Sequence, residues 1–210
     1  MLGIHDLALF IVSGLLLNMM PGPDSLLIML RSGSQGWRAG SVAALGIGTG
    51  TMVHVLAAAL GLSALLSASA ELFAVIKLMG ALYLVYLGIS LLRQGASSSV
   101  ASEPAVSLPA LSYGRIFRQG LLTNVLNPKV ALFFLAFVPQ FIAPDAPQKA
   151  LAFIVLGCIF NINGMIWCHL LAFSTAYASR KVRLPARLGR WLNRVMGGLF
   201  VGLGIKLAAE

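Results

Sequence analysis

Charge is what this sequence has least of. Of 210 residues only 10% are Asp, Glu, Lys or Arg, against about a quarter in an ordinary soluble domain. Apolar residues make up 59% and mean hydropathy is +0.90. A soluble fold of this composition would leave apolar surface in water with no core to enter, which excludes that class. Cysteine is nearly absent. Cys158 and Cys168 lie in one apolar run, about 15 Å apart on a helix and too far for a disulfide, so they read as core thiols. Catalytic constellations are missing too: there is no G-x-S-x-G, no H-E-x-x-H, no Walker A and no paired carboxylates. No enzyme and no cofactor is expected. Without a nucleotide site, active transport would draw on an ion or proton gradient.

The net charge of +9 would suggest nucleic acid in a soluble protein. Here the basic residues sit between apolar runs and lack interleaved aromatics, so they are read as topology signals and no nucleic-acid partner is expected. The first residues, Met1 to Asp6, carry no basic n-region, and the run that follows is too long for a signal peptide. It is taken as the first span.

Runs long enough to cross a bilayer, roughly 17–25 residues, lie near 6–30, 40–66, 72–92, 117–142, 150–177 and 189–208. The first connection holds Arg31 and Arg38. The third holds Arg93, Arg115 and Arg118, and the fifth holds Arg180, Lys181, Arg183, Arg187, Arg190 and Arg194. Those are eleven of the 15 basic residues. Cytoplasmic loops carry the Lys/Arg excess, so the odd connections are expected inside and both termini outside, periplasmic in a Gram-negative host. The expected fold is an all-α integral membrane protein with six transmembrane helices in one domain, 1–210.

The stretch 95–112 is Ser/Pro/Ala-rich and linker-like. It divides the chain into halves of about 1–94 and 113–210 that resemble each other. Gly14-Leu-Leu-Leu-Asn18 matches Gly120-Leu-Leu-Thr-Asn124, and each is followed by a proline-bearing interruption. Met79-Gly-Ala-Leu-Tyr83 matches Met196-Gly-Gly-Leu-Phe200, and Gly88-Ile-Ser-Leu91 matches Gly204-Ile-Lys-Leu207. Three spans per half force the halves to be inverted. A 3+3 inverted repeat with helices 1 and 4 broken near the midplane is a transporter plan.

The two interruptions carry the chemistry. Pro21, Gly22 and Pro23 break the first run through a lost backbone donor, a ring clash and a loosened backbone. Pro23 lies about 12 Å from Arg31 at helical rise, near the middle of a ~30 Å core. Irregular backbone at that depth must be buried or line a cavity. Asp24 beside it is an intramembrane carboxylate, which is costly and usually functional. Asn127, Pro128 and Lys129 form the counterpart, with Lys129 about 16 Å beyond Arg118. At that depth Asp24 is the matching acid for Lys129. The two are expected either to form a static buried pair or to open and hold a zwitterion, Lys129 on the carboxylate and Asp24 on the ammonium. Half-helix N-termini after each break would add donors. Asn18 and Asn124 precede the breaks and are expected to satisfy freed backbone groups, whereas Asn161 is read as interhelical packing. His54 follows Gly46, Gly48 and Gly50, taken as one close-approach face, and could titrate near neutral pH. His169 is read as packing.

The order Pro21-Gly22-Pro23-Asp24-Ser25-Leu26, Arg38-Ala39-Gly40, Ala44-Leu45-Gly46-Ile47, His54, Lys77 to Leu84, Asn127 to Phe134 and Pro139-Gln140-Phe141 resembles the LysE/RhtB family of amino-acid exporters along nearly the whole chain. The resemblance implies gradient-driven, proton-coupled efflux of homoserine, threonine, lysine, leucine or similar compounds across the bacterial inner membrane. The position of Asp24 varies within such motifs. A metal exporter of the wider superfamily would want His-rich or acidic loops, and this chain has three scattered histidines. A thiol-electron carrier would want cysteines on different helices. A membrane scaffold would explain the spans without the paired breaks. Homo-oligomer formation is left open.

Overall fold

The computed structural model describes residues 2–68, 70–93 and 110–177, and beyond them 194–195, 197–198, 200–202, 204–205 and 208–209. Most of the 95–112 linker and most of the basic segment 180–194 lie outside the described residues, as does the Lys77 side chain. The described chain is helical: α1 Leu7–Met19, α2 Pro23–Gln35, α3 Trp37–Ala68, α4 Ala70–Arg93, α5 Tyr113–Val125, α6 Pro128–Leu132 and α7 Lys149–Tyr177. After α6 the helix continues as a π-helix over Phe133–Phe137 and a 3-10 turn over Val138–Phe141. Pro139 offers no N–H to the Leu135 carbonyl and its ring crowds that turn, which suits a widened turn just ahead of it.

Among the described residues two helices are long and apolar enough to cross a membrane, Trp37–Gly61 and Lys149–Tyr177. Two bent pairs pass the same test as broken spans: α1 with α2 at 54°, and α5 with the segment Pro128–Phe141 at 48°. Both bends fall where proline was expected to interrupt the run. α3 remains helical past Gly61 to Ala68.

The ends of these elements sort to two faces. At one face, the His5 N–H donates to the Phe141 carbonyl at 3.1 Å and the Ala143 N–H to the Gly3 carbonyl at 2.8 Å. At the other, Gln35 and Leu111 exchange bonds of 2.9 and 3.0 Å, and Trp37 stacks on Phe173 at 4.8 Å. The N-terminal segment therefore shares a face with the α6–α7 connection. The α2–α3 turn, the start of α5 and the end of α7 share the opposite one.

Small residues let α3 and α5 cross in near-backbone contact. A Cβ on Gly46 would strike the Phe117 carbonyl, one on Gly120 would strike the Ala43 carbonyl, and one on Gly50 would lie 2.9 Å from the Asn124 Cβ. Gly48, grouped with that face from the sequence, does not belong to it, because two residues at 3.6 per turn point it away from Gly46 and Gly50. Its absent side chain leaves room for Met165 of α7, whose sulfur would lie 2.6 Å from a Cβ. α4 makes a like contact with the chain's last segment, where a Cβ on Gly88 would meet the Gly197 carbonyl at 2.6 Å and one on Gly204 the Ala81 carbonyl at 2.8 Å.

Two apolar clusters divide the interior. Towards the Gly3 face it is aromatic: Phe10, Phe133, Phe134, Phe137, Phe141 and Phe160 are all buried, with ring pairs such as Phe133 and Phe160 at 4.6 Å. Towards the Gln35 face it is aliphatic, without aromatic rings: Leu27, Ile28, Ala39, Ala43, Ala44, Ile47, Ile116 and Ala172.

Candidate functional site

The two breaks are built alike. In each, a non-helical residue ends one half-helix and a proline takes the first position of the next, where its missing N–H and fixed φ cost nothing. Gly22 precedes Pro23 in one and Asn127 precedes Pro128 in the other. Asn127 also caps its own half-helix, its Oδ1 accepting from the Lys129 N–H at 3.1 Å.

The charged residue one place after each proline reaches across to the other break. Asp24, in the first turn of α2, accepts at Oδ2 from Asn124 Nδ2 at 2.9 Å and Asn127 Nδ2 at 3.1 Å. Lys129 Nζ donates to the Leu17 and Met20 carbonyls at 3.2 and 3.3 Å. Those carbonyls lie at the end of α1, where the helix dipole is negative; Leu17's also accepts the Met20 N–H at 3.3 Å, while Met20's lies beyond the last helical turn. Asp24 correspondingly sits at the positive end of α2.

This arrangement differs from the direct Asp24–Lys129 ion pair expected from depth. The two side chains are near enough to act on each other electrostatically but lie beyond the 4.0 Å of a salt bridge; among the described residues that distance is met by His5 with Asp6. Each charge is instead met by dipoles of the other half of the chain. Asp24 Oδ1 remains buried with no hydrogen-bond partner.

The asparagines also differ from expectation. Asn18 Nδ2 donates to the Phe160 carbonyl of α7 at 3.4 Å, away from the break. Asn124 spends its amide on Asp24, and its Oδ1 accepts from Thr51 Oγ1 at 3.4 Å. The freed backbone is met by the longer side chains. Lys129 covers the end of α1, and His54 Nε2 lies 3.0 Å from the Asn124 carbonyl at the end of α5. A carbonyl only accepts, so that nitrogen carries the proton. His54 also stacks on Phe134, 6.5 Å between centroids. His169 turns back to its own helix, its Nδ1 2.8 Å from the Met165 carbonyl.

Asn18, Asp24, Asn124 and Lys129 line one internal cavity, with Thr51, Phe160, Asn161, Met165 and Cys168 among its other walls. Pro21, Gly22, Pro23, Asn127, Pro128 and His54 shape its polar wall from behind and do not line it. The cavity is about 30 Å³, room for two or so waters at roughly 10–15 Å³ each. Its lining draws on both clusters, Leu17, Val130 and Phe160 from the aromatic one and Ile47 from the aliphatic one. Asn161 and Cys168, read from sequence as packing, belong to its lining. Thr51 was not singled out, although it lies three residues before His54 and so on the same side of α3. For Cys168 no sequence signal existed.

A family model described as LysE type translocator matches residues 15–210. The chain is 35% identical over 209 residues to an uncharacterised membrane protein of Pseudomonas aeruginosa, covering 99% of this chain and 96% of the relative. It is 28% identical over 206 residues to proteins named leucine efflux protein in Salmonella choleraesuis and Salmonella typhimurium, covering 98% of this chain and 96% of each relative. No solved structure matches. Both broken spans and the residues around the cavity fall inside the matched range, and this chain belongs to the LysE type translocator family.

Proposed function

We propose that this protein exports an amino acid or a close derivative from the cytoplasm, with the site at the two breaks. The observation that carries the proposal is a buried carboxylate oxygen without a partner, Asp24 Oδ1, in a cavity that Lys129 also lines. An ammonium group supplies the donor that oxygen lacks. Lys129 and the N–H groups opening α2 and α6 offer positive charge to a carboxylate. Leucine-like side chains suit the walls made by Leu17, Ile47, Val130 and Phe160, and the leucine efflux relatives support that class.

On this reading the chain forms six spans as a 3+3 inverted repeat, the odd connections are cytoplasmic and the host membrane is the inner one. At about 30 Å³ the cavity is too small for an amino acid, so export requires the helices to part on one side and then the other. Asp24 is the proposed proton carrier. Proton arrival from outside would release the substrate ammonium, and proton release inside would restore the site, coupling proton movement in to substrate movement out.

Metal export is the rival reading. Among the described residues no three His, Cys, Asp or Glu side chains gather to hold an ion, which favours the amino acid. A growth test separates the two. Overexpression should raise tolerance to toxic amino acids or analogues and leave tolerance to cadmium and nickel unchanged; the reverse outcome would overturn the proposal.

A further inference from the structure

The hydropathy pattern makes Arg31 a loop charge marking the inner surface. The structure instead places it inside α2, 6% exposed. Its Nε and Nη2 both donate to one neutral acceptor, Gln119 Oε1 of α5, at 3.2 and 2.9 Å. Among the described residues no carboxylate lies within 4.0 Å of it. A guanidinium has five N–H donors, and burying one against a single amide oxygen leaves its charge uncompensated.

Arg31 also lies on the route from the cavity to the Gln35 face. α2 and α5 run antiparallel and are tied by polar bonds at three levels. Asp24 meets Asn124 beside the cavity, Arg31 meets Gln119 in the middle, and Gln35 meets Leu111 at the face. Between the cavity and that face the apolar filling is aliphatic, four alanines among Leu27, Ile28, Ile47 and Ile116, whereas the cluster on the other side is rich in phenylalanine. Arg31 follows Asp24 by seven residues, two helical turns on the same side of α2 and about 10 Å along it.

We propose that Arg31 is a carboxylate-binding site on the Gln35 side of the cavity, occupied by the substrate before it reaches Asp24 and Lys129. The substrate carboxylate replaces Gln119 on the guanidinium, a charge-assisted and bidentate pairing that an amide oxygen cannot match. The same exchange frees α5 from α2 at the middle of the seam, so the group that recognises the substrate also loosens the closed side. The inference rests on the export reading and adds to it a second site with a stated chemistry.

The test is uptake of labelled leucine into inside-out membrane vesicles, read as KM and maximal rate per inserted molecule. Arg31→Gln should raise KM about tenfold or more, and Arg31→Lys should recover part of that loss. Gln119→Leu removes the competing acceptor and should lower KM severalfold. If Arg31 only ties α2 to α5, both Arg31→Gln and Gln119→Leu lower the maximal rate and leave KM unchanged, which overturns the inference. Should Arg31→Gln fail to insert, Gln119→Leu decides alone, and an unchanged or raised KM overturns it. Absence of saturable uptake by the wild type removes the export reading and this site together. Saturable wild-type uptake with an unaltered KM in Arg31→Gln removes this site only.

Discussion

Asn124 donates to Asp24 at 2.9 Å across the two halves of the chain. The bond changes what a neutral substitution at Asp24 should do. An asparagine there keeps an oxygen that can accept from Asn124 and Asn127, and Lys129, though it loses a neighbouring anion, keeps the Leu17 and Met20 carbonyls, so the main cost is lost charge assistance, about 1 kcal/mol for each of the two bonds. Asp24→Asn is therefore expected to insert and melt close to the wild type while export falls at least about tenfold. Thermal unfolding by fluorescence-detected chromatography, beside efflux per inserted molecule, checks both halves of this expectation.

Lys129 is expected to behave differently. Lys129→Met removes the ammonium donor from the Met20 carbonyl, leaves Leu17's with the Met20 N–H alone and strips a neighbouring cation from a buried carboxylate, at a cost of several kcal/mol. Its yield of inserted protein should fall well below that of Asp24→Asn, and adding Asp24→Asn to it should recover insertion. Comparing the yields of the two single variants and the double variant measures this coupling.

Glycine positions separate packing from propensity. Gly120→Ala places a methyl group against the Ala43 carbonyl and should cost about 1–3 kcal/mol by overpacking. Gly33→Ala meets nothing within 4 Å and should be neutral or stabilise α2 by roughly 0.5–1 kcal/mol. Melting temperatures that fall for the first and hold or rise for the second are the expected pattern.

Much of this was legible in the sequence because its causes are local. Proline removes a donor wherever it stands, so both bends fall on the proline-bearing interruptions, and hydropathy located the helices to within a few residues over most of the chain. Partner choice was not legible, because depth along a helix does not give direction around it. Lys129 and Asp24 sit at matching depth, yet helix-end carbonyls take the ammonium and two asparagine amides take the carboxylate. Gly48 was grouped with Gly46 and Gly50 although it faces α7. Arg31 looked like the end of a span because it is the first basic residue after the break, while Gln119, which lets it be buried, is far away in sequence.

Topology has its own test. With Cys158 and Cys168 replaced, a cysteine at exposed Asp145 should react in intact cells with an impermeant maleimide. A cysteine at Ser98, outside the described residues, should react only after the membrane is opened. Labelling in the reverse order would invert the proposed orientation.

Efflux of labelled leucine from preloaded cells, normalised to inserted protein and compared between the wild type and the Asp24→Asn, Lys129→Met double variant, bears most directly on the central claim. The double variant carries no net charge change at the site, so a purely structural pair would leave export intact. The account predicts rapid wild-type efflux and a double variant that inserts yet exports at the rate of cells lacking the protein. Near wild-type export by the double variant would contradict a substrate role for the two residues, and wild-type efflux at background would contradict leucine export.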